Sequence, residues 1–459
     1  MDNIREIVLE ILLALEVPKN GQENYSNVVI RQVLEKYDYL QTKDKAFIKA
    51  LSEGTVERQI QLDYILNSFS KTPVTKMRPL IRCLLRMSVY QILFMDAVPD
   101  SAVCNEAVKL AEKRKFHSLK GFVNGILRNI SRQKDNLPMP DAKKDSITWM
   151  SVNYSMPKWL IQMWLKELGS ELTETVIKAL LETHPVTLRL DERKPETERE
   201  RLLAAMQDKG VEVDTDTYLP YAAKVKNLSG ITALPGFAEG AFAVQDESSM
   251  LVSEAAGLKG DEFVLDVCAA PGGKSLHAAA KLTAGGHVEA RDLSENKCDR
   301  ITENALRMRQ DNIIVKVWDA TVSDDTMIGK ADVLFTDVPC SGFGIMGKKR
   351  DIKYHASKES CESIVELQQQ IMTTVLPYLK KDGVLIYSTC TIHQAENEKM
   401  VEWLTKNFPL ELESLVPYLP EKMKQKSQEN NTAAKGYLQI LPGVYDCDGF
   451  FLARMKKKA

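Results

Sequence analysis

Apolar residues recur at spacings of three and four, block after block, through residues 1 to about 135. That is the period of an amphipathic helix. Ile4, Ile7, Val8, Ile11, Leu12 and Leu15 form one stripe, and Leu80, Ile81, Leu84, Leu85, Met87, Val89, Ile92 and Leu93 form another. Val103, Ala107, Val108 and Ala111 continue the pattern, followed by Phe122, Val123, Ile126, Leu127 and Ile130. Pro73 and Pro99 fall between blocks, where a residue without an N–H costs no helical bond. An all-helical domain is therefore expected over 1–135.

Residues 134–145 are polar and carry Pro138 and Pro140, the composition of a linker. A connecting helix with Trp159 and Trp164 is expected over Pro157–Leu168, so 136–165 reads as linker and connecting helix. The period then shortens. Val186–Leu190 and Gly210–Val213 read as strands around a helical Glu196–Lys209, a small α+β module spanning 166–240. In the remaining stretch, 241–459, short apolar runs at Phe263–Val267, His287–Ala290, Ile313–Val317, Val333–Asp337 and Val384–Ser388 alternate with helical stretches. Such alternation predicts a Rossmann-like parallel sheet with helices on both faces. The dense polar stretch 421–435 is expected to be an exposed loop.

Composition sets limits. With 44% hydrophobic and 27% charged residues, the chain has the make-up of a folded globular protein. No uncharged run approaches the ~18 apolar residues of a membrane span, and Asp2, Glu6 and Glu10 interrupt what would be a signal peptide. The eight cysteines contain no C-x-x-C pair. Neither a zinc ribbon nor a disulfide scaffold is expected, and a reducing cytoplasm is. The net charge of −2 hides a gradient: residues 1–135 hold 21 Lys+Arg and 16 Asp+Glu, a balance of +5, so the remainder carries −7.

The chemistry concentrates at strand ends. Phe263–Val267 runs into Cys268, Ala269, Ala270, Pro271, Gly272, Gly273 and Lys274, and then into a helix. A small-residue turn after the first strand lets backbone approach a ligand, and the helix N-terminus offers unpaired N–H groups. Asp292 ends the next strand, placed for ribose hydroxyls, and Asp319 closes the third, placed for an adenine amino group. Three acidic strand ends without G-x-G-x-x-G suit S-adenosylmethionine better than a dinucleotide, whose phosphates they would repel. A lone Gly-Gly turn would be an ordinary connection; the whole string with its spaced acids is far more specific.

Cys340, in Asp337-Val338-Pro339-Cys340-Ser341-Gly342, follows the fourth strand, and Cys390, in Ser388-Thr389-Cys390, follows the fifth. A single such cysteine is more often a small buried hydrophobe; two at adjacent strand ends beside a methyl-donor site point to catalysis. A thiolate adding to carbon-6 of cytosine makes carbon-5 nucleophilic. A base must then remove the carbon-5 proton. An acid such as Asp337 could stabilise the adduct, and Lys274 or a helix N-terminus could lower the thiol's pKa.

These strings resemble the RNA 5-methylcytosine methyltransferases of the Nol1/Nop2/Sun group. Over almost its full length the chain resembles the bacterial RsmB (Sun/Fmu) 16S rRNA methyltransferase family. Tyr90-Gln91, Asn105-Glu106-Ala107-Val108, Gly121–Arg128, Gln245–Ser249 and Asp448–Phe451 match as well. The resemblance implies a NusB-like helical RNA-binding domain, an RNA-binding α+β module and an S-adenosylmethionine-dependent methyltransferase domain. It implies Cys390 as covalent nucleophile, Cys340 as the cysteine that helps release product, and Cys268–Lys274, Asp292, Asp319 and Asp337 as cofactor positions. The implied partner is 16S rRNA, naked or in an assembling subunit, with no metal, no membrane and a monomeric chain. The same chemistry on tRNA or another rRNA, or a non-catalytic RNA-binding role, are the alternatives. Val338 replaces the family's usual Ala, Gly347–Tyr354 replaces Arg-Arg-x-Pro-Asp-Ile-Lys-Trp, and Arg189-Leu190-Asp191 replaces Arg-x-Asn. Lys113, Arg114, Lys115, Lys120, Arg128 and Arg132 form a basic cluster suited to phosphates.

Overall fold

The computed structural model describes residues 3–17, 25–182, 184–228, 230–283, 285–427 and 431–458. The chain forms two compact units. One comprises Met1–Leu181 with Met346–His355, the other Glu182–Ile345 with Ala356–Ala459.

The first unit is helical: α1 (Ile4–Glu16), α2 (Ser26–Lys36), α3 (Thr42–Glu57), α4 (Gln59–Phe69), α5 (Pro79–Phe94), α6 (Asp100–Lys113), α7 (Lys120–Arg132), α8 (Ser146–Asn153), α9 (Lys158–Leu168) and α10 (Ser170–Ala179). The predicted stripes supply one core, in which Val8, Ile11, Leu84, Leu85, Val89, Val123 and Leu127 are buried. A Cβ at Gly54 of α3 would lie 2.0 Å from the Tyr90 ring, so glycine there lets α3 and α5 approach closely. Residues 346–355, which carry the one-turn helix α15 (Ile352–His355), belong to this unit. Asp351 accepts from the Ser26 amide. Lys353 Nζ and the Tyr354 hydroxyl donate to the Glu57 carbonyl at 2.9 and 3.1 Å, and Arg350 pairs with the Glu57 carboxylate at 3.0 Å.

The second unit opens with an antiparallel sheet in the order β2-β3-β1-β4, made of β1 (Val186–Leu190), β2 (Glu212–Asp214), β3 (Ala222–Lys226) and β4 (Phe242–Val244), with α11 (Glu196–Gln207). Then follow α12 (Glu247–Ala256), β5 (Phe263–Asp266), α13 (Gly273–Lys281), β6 (His287–Asp292), α14 (Glu295–Arg307), β7 (Ile313–Val317), β8 (Ala331–Asp337), α16 (Lys358–Val375) and β9 (Leu379–Thr389). The chain ends with α17 (Glu398–Asn407), β10 (Leu410–Leu412), α18 (Glu421–Ser427), β11 (Tyr437–Ile440) and β12 (Phe450–Lys457).

The large sheet runs β10-β12-β9-β8-β5-β6-β7, with β11 also on β12. Its two faces bury alternate residues. Val264, Phe335, Ile386 and Leu452 point into one core, and Leu265, Leu334, Leu385 and Phe451 into the other. From β5 the chain winds outward through β6 and β7, then returns to build β8 and β9 on the other side. This reversal is a switch point, where the carboxyl ends of parallel strands leave a crevice.

Two expectations need correction. The sheet is not parallel throughout, because β12 runs antiparallel to β9, β10 and β11; β10 and β11 are too short to show a period. Nor is 421–435 an exposed loop throughout. Glu421–Ser427 is helical and Met423 is buried in the core, its apolar side chain masked in sequence by Lys422, Lys424 and Lys426. Positions 428–430 of that stretch lie outside the described residues. Among the described residues no helix is long and apolar enough to cross a membrane.

A buried histidine ties α13 to the segment after β1. His277 Nε2 lies 2.8 Å from Glu192 Oε1, beside Lys281, which pairs with both Glu192 and Glu254. Burial, and then the charge of Arg189, push His277 down to about 3 against the pull of Glu192. The unfolded chain therefore takes up this proton first as pH falls below the ordinary 6.5. Stability is expected to fall between about 6.5 and 3, by up to ~1.4 kcal/mol per pH unit. His277→Gln should flatten that slope in urea denaturation at pH 7.5 and 5. An unchanged slope would remove His277 as its source.

Candidate active site

The turn after β5 is built for close approach. Gly272 adopts φ +99° and caps α13, a conformation that favours glycine. The Ala269 amide donates to the Arg291 carbonyl at 2.8 Å, and the Ala270 amide to Asp292 Oδ2 at 2.9 Å. Asp292 Oδ1 accepts from the Leu293 amide at 2.8 Å and Lys297 Nζ at 2.9 Å. The Cys268–Lys274 turn and the end of β6 are thus one structure. Behind it, Asp266 is fully buried and accepts from Ser275 Oγ at 2.5 Å; burial pushes its carboxyl up to about 7. Asp319, two residues past β7, accepts from the Thr321 hydroxyl and amide, which hold it below the usual carboxylate range.

Asp337 ends β8 and joins three elements. Its Oδ2 accepts from Lys274 Nζ at 2.7 Å and its Oδ1 from Ser388 Oγ on β9 at 2.9 Å. Burial alone would depress the Lys274 ammonium, but Asp337 outweighs it and raises Lys274 above its ordinary value. The ammonium also lies 5.3 Å above the Phe450 ring.

Cys340 and Cys390 follow β8 and β9, and their sulfurs are 3.2 Å apart. No disulfide joins any of the eight cysteines. The hydrogen bond shared with Cys390, then burial and the negative charges of Glu396 and Asp337, push the Cys340 thiol well above its ordinary value. The two cysteine loops are sewn together. The Gly344 amide donates to the Cys390 carbonyl, and the Gly449 amide to the Gly344 carbonyl, both at 3.0 Å. A Cβ on Gly344 would fall 2.0 Å from the Gly449 oxygen, so only glycine allows this contact. Beneath lies Glu396, 0% exposed, which accepts from the Ser341 amide at 3.0 Å, Ser341 Oγ at 2.5 Å and Gln368 Nε2 at 3.0 Å, with His393 Nδ1 at 3.2 Å. Asn397 accepts from Thr389 Oγ1 at 2.6 Å and donates to the Thr391 carbonyl at 3.1 Å.

The cofactor string, Asp292, Asp337 and both cysteines therefore converge on the carboxyl ends of β5, β6, β8 and β9. The cationic cluster lies in the helical unit. There Lys113 and Arg114 pair with Glu6, Arg114 also with Glu10, and Lys120 with Glu112. Arg128 donates to Asn124, and Lys115, Arg128 and Arg132 are exposed. Of the departures, Val338 is buried in the core and Arg189 donates to Gln245 at 2.8 Å. Sequence reasoning missed Asp266, Ser388, Gln368, Glu396 and Asn397. Each looks ordinary in sequence, and only its contacts, many of them distant, mark it.

The donor set fits S-adenosylmethionine. Carboxylates at successive strand ends suit ribose hydroxyls and a sulfonium cation, and the Gly272-Gly273 turn leaves the backbone open to a ligand.

Comparison with known proteins agrees with this geometry. The family described as 16S rRNA methyltransferase RsmB/F matches residues 255–456, the NusB family residues 2–132, and the RsmF/B-like ferredoxin-like domain residues 156–232. The chain is 36% identical over 461 residues to the probable ribosomal RNA small subunit methyltransferase B of Bacillus subtilis, with 99% of each covered. It is 30% identical to its counterpart in Synechocystis sp., covering 95% of this chain and 96% of that one. The crystal structure of PH0851 shares the fold over 100% of this chain and 99% of its own, with a TM-score of 0.79 at 23% identity. The chain therefore belongs to the ribosomal RNA small subunit methyltransferase B family, with S-adenosylmethionine as its cofactor.

Proposed function

We propose that this protein methylates carbon-5 of a cytosine in 16S rRNA through a covalent adduct with Cys390. One observation carries the reading: two thiols 3.2 Å apart at neighbouring strand ends, beside the Lys274–Asp337 pair. A single nucleophile would need one thiol; a reaction that must form and then dissolve a carbon–sulfur bond has work for two. Cys390 adds to carbon-6, which turns carbon-5 into a nucleophile. Bound S-adenosylmethionine supplies the electrophilic methyl group. A base then takes the carbon-5 proton, the carbon-5–carbon-6 double bond re-forms as the Cys390–carbon-6 bond breaks with its electron pair returning to the sulfur, and Cys340 helps that release. In this reading Asp337, which accepts from Lys274 and Ser388, serves the base as well as the cofactor. The target cytosine must be unstacked to reach these sulfurs, which favours a loop or incompletely folded rRNA. Within the basic cluster of the helical unit, Lys115, Arg128 and Arg132 are exposed and are proposed as the contacts to phosphate.

Bisulfite sequencing of 16S rRNA from cells with and without this protein tests the reading. One protected cytosine should disappear in its absence, and an unchanged pattern would overturn the proposal. The same reading assigns Asp292 to the ribose of the cofactor. Charge-assisted hydrogen bonds are worth ~1.5–3 kcal/mol, so Asp292→Ala should weaken S-adenosylmethionine binding roughly 10- to 100-fold in calorimetry. Unchanged affinity would take Asp292 out of the cofactor site.

A further inference from the structure

The amide that follows Cys340, that of Ser341, and the Ser341 hydroxyl both donate to the Glu396 carboxylate, at 3.0 and 2.5 Å. Since the one hydroxyl hydrogen of Ser341 goes to Glu396, its oxygen accepts from Thr391 Oγ1, 2.7 Å away. Thr391 Oγ1 in turn accepts from the Phe343 amide at 3.3 Å. A one-way chain of hydrogen bonds thus links the Cys390 loop to the Cys340 loop and ends on a carboxylate with no access to solvent. The donors closest to Cys340 in sequence are spent on that anion and not on its sulfur. Cys390 instead acts electrostatically on the Lys274 ammonium.

We propose that Glu396 is a positioning residue that divides the labour of the two cysteines: it locks their loops together and withholds negative charge from Cys340, leaving it to Cys390. This rests on the reading that Cys390 attacks and Cys340 serves release. The titratable groups facing Cys340 support it. Asp337 from β8, Tyr387 from β9, and Cys390 and Glu396 from the segment after β9 do not favour a second thiolate; the cation of this region, Lys274 on α13, is paired with Asp337 at 2.7 Å, and His393 stands against Glu396 at 3.2 Å.

Site-resolved alkylation of the full-length, RNA-free protein with limiting iodoacetamide, read by peptide mass spectrometry, tests this. Cys390 should be alkylated roughly tenfold or more faster than Cys340 in the wild type, the factor that one pKa unit sets. Glu396→Gln should raise the Cys340 rate several-fold and leave that of Cys390 within about twofold, while Glu396→Asp, which keeps the charge, leaves Cys340 slow. A merely structural role would move both rates together. Equal rates in the wild type, or a Cys340 rate unmoved by Glu396→Gln, would overturn the proposal. If Glu396→Gln does not fold, the wild-type pH profile decides: Cys340 must begin to react at higher pH than Cys390, and the reverse order sinks the idea. None of these readouts uses RNA, so they stand or fall separately from the assignment of Cys390 as the RNA nucleophile.

Discussion

Cys390→Ala should abolish methyl transfer, by on the order of 10³-fold or more, and no covalent complex with RNA should appear on a denaturing gel. Cys340→Ala should also stop turnover, but with the opposite signature: the RNA adduct forms and persists, because the step that dissolves it is lost. Each variant removes one sulfur of a pair 3.2 Å apart, so a loss of fold common to both cannot give these opposite readouts. Radiolabelled methyl incorporation and gel-shift of the same samples give both readouts. An adduct that survives Cys390→Ala and vanishes in Cys340→Ala would exchange the two roles. Activity retained in Cys390→Ala would end the covalent reading.

The second large effect concerns the ion pair under the sulfurs. Lys274 and Asp337 are 14% and 26% exposed and 2.7 Å apart, enclosed enough that removing one partner strands the other's charge. Lys274→Met should lower kcat about 100-fold and lower the melting temperature. Asp337→Asn should do comparable damage. The double variant should be less impaired than the two losses added, with a coupling of roughly 1–3 kcal/mol in a double-mutant cycle. Simple additivity would show that the two side chains act independently. The pH sign follows from Lys274. Its folded pKa lies above the ordinary 10.5, so on the alkaline side the contribution of the Lys274 ammonium is kept up to that value. It is lost as pH rises through the folded one.

How much of this was legible depended on whether the chemistry is contiguous. Cys268–Lys274 reads plainly because turn, glycines and helix start are consecutive, and Asp292 and Asp337 read plainly because each closes an apolar strand. Glu396 and Gln368 did not, since their partners lie 55 and 28 residues away in sequence; nothing local distinguishes them from other polar residues. Asp266 looked like part of a strand end. Only its complete burial beneath the turn, with Ser275 against it, marks it as unusual. The antiparallel β12 was hidden for another reason: parallel strands announce themselves by the helices between them, and β12 is preceded by short irregular connections. The helical unit gave up its periodicity readily, yet no pattern signalled that ten residues from far downstream complete it.

Those ten residues, Met346–His355, carry a consequence for dissection of the molecule. Between Cys340 and α16 the polypeptide leaves one unit, contributes Asp351, Lys353 and Tyr354 to the other, and comes back. No single cut yields two intact pieces. A fragment ending at residue 181 would leave the Glu57 carbonyl without Lys353 and Tyr354, and the complementary fragment would expose a lysine whose burial pushes it down to about 7. Swapping either half between homologues therefore calls for three junctions, with the 346–355 excursion travelling with the amino-terminal helices.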